Sequence, residues 1–195
     1  VALDFGGVVA EEGFLALVRE MAAELGRPEE ALIEAAETAL RSTGYLVGRG
    51  DEAVFLADFA ARGGLDPAKL ISFRERVLER YPIRPGMLAL VDRLRDSGVR
   101  VVVASDQTDW LEELDRRRPF YDRFDRVFNS YRFGRTKSEA AFFEEMAREL
   151  GVKPREILFV DDRPVNVEVA RSVGCTGLVF RDEDQFQLEF MELLL

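Results

Sequence analysis

The chain of 195 residues contains no histidine. Ser-His-Asp and Cys-His catalysis are thereby excluded, and so is every metal site that needs imidazole. Acids, bases, nucleophiles and ligands must come from carboxylates, Lys, Tyr, Ser, Thr or a thiol. Hard oxygen donors of this kind favour Mg²⁺ or Ca²⁺ over zinc. Cysteine is almost missing as well. Cys175 stands alone, so no internal disulfide can form, which suits a reducing cytoplasm. No apolar run approaches the roughly 20 residues that span a bilayer, and no stretch reads as a signal peptide. Positive charge is in deficit too, with 27 Lys and Arg against 37 Asp and Glu and a net charge of −10. Such a chain has no electrostatic reason to bind nucleic acid or an anionic membrane. The short basic run Arg116-Arg117-Arg118 sits beside Glu112, Glu113 and Asp115 on a predicted helix and reads as a solvated face.

What is present fits one globular domain, or one core carrying a modest insertion. The 47% hydrophobic and 33% charged fractions rule out a disordered tail. Strand-like apolar runs occupy residues 1–5, 99–105, 157–161 and 178–180, with a weaker one at 127–128. Because the chain opens inside the first of these, a few residues are expected to precede Val1. The middle runs show no polar alternation, so both faces of their strands should be buried. Helical patterns separate the strands, as expected of an α/β parallel sheet covered on both sides.

Leu25-Gly26 closes the first predicted helix and Pro28 opens the second. Asp51 caps a helix that stops at Gly63-Gly64, Asp66-Pro67 opens another, and Pro85-Gly86 starts one ending at Gly98. Later helices are predicted over 138–150, 164–173 and 183–194. Between the first strand and the second, the sequence is helical for much longer than a crossover requires. Residues 11–84 therefore read as a helical insertion, with 1–10 and 85–195 forming the core.

Open parallel sheets place ligands at the carboxyl ends of their strands. Three of the predicted strands turn from apolar to polar there. The first ends in Asp4, followed by Phe5-Gly6-Gly7; the second gives Ser105-Asp106; a third gives Asp161-Asp162. Singly, these have ordinary explanations in turns and caps, and Lys137 alone reads as a surface lysine. Adjacent carboxylates at a buried strand end are less ordinary, since they repel unless a cation or proton compensates them. Together the residues suit phosphoryl chemistry. A carboxylate nucleophile, carboxylate-held Mg²⁺, and a hydroxyl with an ammonium on the phosphate oxygens divide the work.

The stretch Leu3-Asp4-Phe5-Gly6-Gly7-Val8-Val9, the strand 101–105 ending in Ser105, Lys137 ahead of a helix, and 159–167 with Asp161-Asp162-Arg163-Pro164 and Asn166 resemble the haloacid dehalogenase superfamily. The likeness is greatest to its branch of small sugar-phosphate phosphatases with a helical cap, and it covers essentially the whole chain. It implies a three-layer α/β/α Rossmann-like core with about five parallel strands, the first at the centre, and a cap inserted after that strand. It implies Asp4 as nucleophile and Ser105, Lys137, Gly6 and Gly7 around the phosphate. Mg²⁺ would be held by Asp4, the Gly6 carbonyl, Asp161 and Asp162, with Asn166 behind them. Most phosphatases of the superfamily carry a second Asp two places after the nucleophile. Here that position is Gly6, as in some cap-bearing members, which leaves the leaving-group proton to Asp106 or to water.

The expected reaction is Mg²⁺-dependent hydrolysis of a small phosphorylated metabolite, such as a sugar phosphate, by a monomer or homodimer. A 2-haloacid dehalogenase using the same aspartate without metal is the rival, and a catalytically silent binding scaffold is another. Within the insertion, Phe14, Tyr45, Phe55 and Phe59 are expected to form cap core. Gly44 and Gly48-Arg49-Gly50 are expected to present backbone to the substrate, with Arg49 meeting a charged substrate group.

Overall fold

Burial on both faces drives the central runs into a parallel sheet. The computed structural model describes the backbone of residues 1–193 and the side chains of residues 1–190. Residues 194 and 195, where the predicted last helix and the predicted core end, lie outside the described residues. Strands β1 (Ala2–Leu3), β2 (Val102–Ser105), β3 (Arg126–Asn129), β4 (Leu158–Asp161) and β5 (Thr176–Val179) form one parallel sheet in the order β3-β2-β1-β4-β5. The first strand is thus central, as the resemblance implied.

Helices α1 (Gly13–Glu24), α2 (Glu29–Ser42), α3 (Glu52–Gly63), α4 (Phe73–Leu78) and α5 (Pro85–Asp96) all follow β1. Then come α6 (Trp110–Arg117) after β2, α7 (Ser130–Phe133) and α8 (Ala140–Leu150) after β3, α9 (Pro164–Ser172) after β4 and α10 (Glu183–Leu193) after β5. Two caps are those the sequence indicated. Asp51 accepts the Val54 amide at 2.9 Å, and Asp66 accepts the Ala68 amide at 3.0 Å. The helix expected at Asp66-Pro67 is broken, however, into a short 3-10 turn over Pro67–Leu70 and the separate α4.

Successive strand residues point to opposite faces. Ala2, Val102, Ala104 and Phe159 pack against Phe142, Phe143, Met146 and Ala147 of α8 and Val167 and Ala170 of α9. Leu3, Val103 and Val160 pack on the other face against Met87, Leu90 and Val91 of α5, Leu111 of α6 and Phe186 of α10. This second cluster continues without a break into Leu17, Ala36, Phe55, Phe59 and Phe73, so the α1–α4 helices share one hydrophobic body with the sheet. Among themselves, α2 packs on α1 and α3, and α1 on α4.

The chain leaves and re-enters the sheet region along paired paths. Ala10 bridges Ile83 in antiparallel fashion, the Glu11 amide donates to Pro82 O at 3.0 Å, and the Arg84 amide donates to Val9 O at 2.9 Å. These crossings fall at the predicted limits of the insertion. No helix among the described residues is long and apolar enough to cross a membrane. The basic run of α6 is neutralised: Arg117 pairs with Glu113 at 2.6 Å and Glu75 at 2.8 Å, and Arg116 also pairs with Glu113.

Candidate active site

Each strand end delivers its polar residue to one place because the parallel register aligns the carboxyl termini. Leu3 pairs with Val103 and Val160, so Asp4, Ser105 and Asp161 emerge side by side. The Asp4 amide donates to Val160 O at 2.9 Å, while its own Oδ1 accepts the Phe5 amide at 2.7 Å. The other oxygen, Oδ2, lies 2.6 Å from Lys137 Nζ. Lys137 reaches Asp161 Oδ2 at the same distance of 2.6 Å and is only 1% exposed. The lysine that alone would read as a surface residue is a buried bridge between two acids.

Asp161 is held in place by its neighbours. Its Oδ1 accepts the Arg163 amide at 2.8 Å, and Asn166 Nδ2 donates to both oxygens at 3.1 Å. Asn166 stands on the first turn of α9, which Pro164 starts, so helix placement sets the carboxylate plane. Asp106 accepts the Lys137 backbone amide at 2.9 Å. It does not cap a helix; α6 begins only at Trp110.

Two glycines shape the turn after Asp4. Gly7 has φ of 85°, and a side chain on it would run into the Asp162 carboxylate. At Gly6 a Cβ would come within 2.7 Å of Glu12 Oε2 and 3.3 Å of the Tyr81 ring. Glu12 is the cap of α1: its Oε1 accepts the amides of Phe14 at 3.0 Å and Leu15 at 3.1 Å. Tyr81 accepts hydrogen bonds from Gln107 Nε2 at 2.6 Å and the Phe14 amide at 3.2 Å.

The electrostatics are those of crowded acid. Burial pushes the Asp4 carboxyl well above the usual carboxylate range, with Asp161 adding repulsion and Lys137 opposing it. For Lys137, burial disfavours the charge, but the carboxylates of Asp161, Asp4 and Asp106 outweigh it and raise its pKa. Asp162 is raised by burial and then by the Asp161 charge. Burial likewise raises Asp106 and Glu12. One ammonium therefore faces several acids, an imbalance that a cation relieves. Asp4, Asp161 and Asp162 each offer an oxygen, all within 4.8 Å of one another. The all-oxygen donor set and this spacing fit Mg²⁺, which binds through few carboxylates and keeps waters.

A cavity of about 590 Å³ opens above these residues. Asp4, Gly6, Ser105, Asp106, Lys137, Asp162 and Asn166 line its floor, and Phe14, Leu15, Arg19, Ile33, Glu37, Leu40, Arg41 and Leu46 of the insertion line its roof. Tyr45, Phe55 and Phe59 are core, as expected, whereas Phe14 touches the cavity. The expectation for Arg49 fails. It is exposed and outside the cavity, because Gly48 beside it is held against the Tyr131 carbonyl, and Arg19 and Arg41 supply cationic groups instead. Sequence reasoning missed Glu12, Gln107 and Tyr81. Their spacing carries no signal, since the turn at Gly6-Gly7 and the paired crossings bring them in.

A flavin mononucleotide hydrolase of Arabidopsis thaliana is 26% identical over 124 residues, covering 64% of this chain and 51% of that protein. A sesquiterpene phosphatase of Aspergillus oryzae is 28% identical over 109 residues, covering 55% and 56%. The chain thus spans about half the length of these relatives. A HAD family enzyme of Bacteroides thetaiotaomicron, solved with magnesium and inorganic phosphate, superposes with a TM-score of 0.71 at 19% identity over 97% of both chains. An L-2-haloacid dehalogenase of Xanthobacter autotrophicus superposes at 0.67 with 18% identity, covering 97% of this chain and 81% of that one. Both share the fold. The sequence family that describes haloacid dehalogenase-like hydrolases matches residues 1–174, nearly the full span from the central strand to the helix behind Asp161, and this chain belongs to it.

Proposed function

We propose that the protein is a Mg²⁺-dependent phosphomonoesterase acting on a small phosphorylated metabolite. The observation that carries this reading is the cluster of carboxylates, Asp4, Asp161 and Asp162, the first two bridged by buried Lys137, at an open cavity. The names of the curated relatives, a flavin mononucleotide hydrolase and a sesquiterpene phosphatase among them, support it.

Asp4 attacks phosphorus, the ester bond breaks, and the alcohol leaves. Water then hydrolyses the phosphate on Asp4 and frees the carboxylate. Ser105 and Lys137 hold phosphoryl oxygens as charge spreads over them, and Asp106 keeps Lys137 in place. Asn166 and the Arg163 amide hold Asp161 for the cation. Asp4, Asp161 and Asp162 would hold Mg²⁺, which would neutralise the phosphate charge. The α1–α4 helices act as a cap that excludes water and selects the substrate.

The test is phosphate release from p-nitrophenyl phosphate and a panel of sugar phosphates, with and without Mg²⁺, comparing wild type with Asp4→Asn. Loss of turnover in the variant and dependence on Mg²⁺ are expected. A second reading, 2-haloacid dehalogenation, is compatible with Gly6 and with the fold shared with the Xanthobacter enzyme. Halide release from a 2-haloacid without Mg²⁺ would put it first.

A further inference from the structure

Expelling an alcohol from a phosphate ester requires a proton, because an alkoxide leaves poorly. With no histidine in the chain, that proton must come from another acid. Five carboxylates line the cavity: Asp4, Glu12, Glu37, Asp106 and Asp162. Asp4 is the nucleophile, and Asp162 belongs to the cation cluster. Asp106 accepts the Lys137 amide. Glu37, on the roof, lies 3.4 Å from each of Arg41 and Arg163. Glu12 is paired with no cation among the described residues, and while its Oε1 takes backbone amides its Oε2 faces Gly6.

The position of that oxygen is particular. Glu12 Oε2 lies 2.7 Å from the point where a side chain on Gly6, two residues after the nucleophile, would begin. Its partner Oε1 is pinned by the Phe14 and Leu15 amides at 3.0 and 3.1 Å, so the carboxyl group cannot swing away. A cap needs only one oxygen, and Asp, Asn, Ser or Thr would serve it better than Glu. The longer side chain caps α1 with one oxygen while presenting the other to Gly6, in the cavity that Asp4 also lines. Gly6 leaves the room for it.

We propose that Glu12 is the catalytic proton donor and acceptor of this site, a reading that rests on the phosphatase assignment above. As Asp4 Oδ forms its bond to phosphorus, the bond to the ester oxygen breaks and its electron pair stays on that oxygen. The Glu12 carboxyl proton passes to it, and the alcohol departs. In the second half, the Glu12 carboxylate removes a proton from water as the water oxygen bonds to phosphorus. The bond between phosphorus and Asp4 breaks, Asp4 regains its carboxylate, inorganic phosphate leaves, and Glu12 is protonated again.

The experiment compares wild type, Glu12→Gln and the double variant Gly6→Asp with Glu12→Ala on phosphomonoesters running from p-nitrophenyl to alkyl leaving groups. Gln keeps an oxygen for the α1 cap, so a melting temperature near wild type is expected. Turnover of alkyl esters by Glu12→Gln should fall by about 10²–10⁴-fold, the usual worth of acid–base assistance. Phosphorylation by the aryl ester should fall little, steepening the leaving-group dependence. With that ester, intact-mass measurement should find Glu12→Gln accumulating an adduct of one phosphoryl group, since water attack lacks its base. The double variant, which moves the carboxyl to position 6, should regain alkyl-ester turnover. Equal losses in the rate of phosphorylation by aryl and alkyl esters in Glu12→Gln, or no loss at all, would overturn the assignment of Glu12 and leave the phosphatase standing. A wild type inert on every ester would overturn both.

Discussion

Asp106 accepts the backbone amide of Lys137 at 2.9 Å, tying the end of β2 to the loop between α7 and α8 across 31 residues of chain. The bond fixes the stem of a lysine whose ammonium must sit between Asp4 and Asp161. Removing a buried acceptor costs about 1–3 kcal/mol. Asp106→Ala should therefore lower kcat/KM by about tenfold or more, given that small misplacements of catalytic groups are costly. Asp106→Asn, which retains an acceptor oxygen, should keep most of the activity. Equal damage from both substitutions in steady-state kinetics would instead give the Asp106 carboxyl a proton-transfer role.

Among the described residues, Lys137 is the cation that pairs with two buried acids, Asp4 and Asp161. Taking one partner from a buried pair typically costs about 3–5 kcal/mol, because a charge is left unpaired. Lys137→Met should destabilise the metal-free protein by that order in urea titrations. Mg²⁺ should recover part of the loss by supplying the missing positive charge. A variant as stable as wild type without metal would mean that the two acids need no compensating cation in the folded protein.

The raised pKa of Asp162 gives Mg²⁺ binding a direction in pH. Without metal, the folded carboxyl holds its proton more tightly than the unfolded one, whose value is near 3.8. Stability contributed by that proton is present below the unfolded value and declines as pH rises through the higher folded one. Mg²⁺ requires the carboxylate, so its stabilising effect should run the other way. Melting curves with and without millimolar Mg²⁺ should show a gain that is small in mild acid and larger at neutral pH. A gain independent of pH would detach the metal from Asp162.

Burial pushes the Cys175 thiol up to about 11 from 9.0. The reactive thiolate at neutral pH is then about 100-fold scarcer than for a free thiol, a tenfold drop per pKa unit. Alkylation of the native protein should be slow by at least that factor and should accelerate on addition of denaturant. Rapid native labelling would show that the α9–β5 region opens readily.

Much of the site was legible because its residues close apolar runs. Val101–Ala104 predicts a strand, and Ser105 follows from where that strand must stop. The order of the strands is another matter: alternation alone does not put β1 in the centre, and the family resemblance supplied that. Lys137 was unreadable from composition, since nothing local in 135–139 indicates burial; only the acids at 4 and 161 hold it there. Glu12 escaped because its role depends on contact with an absence, the missing side chain at Gly6. Arg49 misled because a glycine-flanked arginine resembles a binding loop, while the Gly48 backbone is committed to Tyr131.

The crossings at Ala10–Ile83 have a consequence for how such a protein can change. Because the chain goes out and comes back through one doorway, the core's own loop is already closed when the helical layer is removed or exchanged. Lengthening a loop whose ends already meet costs only about 0.6 kcal/mol per doubling. The helical layer can thus vary in length on a fixed mount, provided that its replacement again covers the apolar face it shares with the sheet. The exception is Glu12, which lies just outside the doorway; an exchange there would replace the roof and take the proton with it.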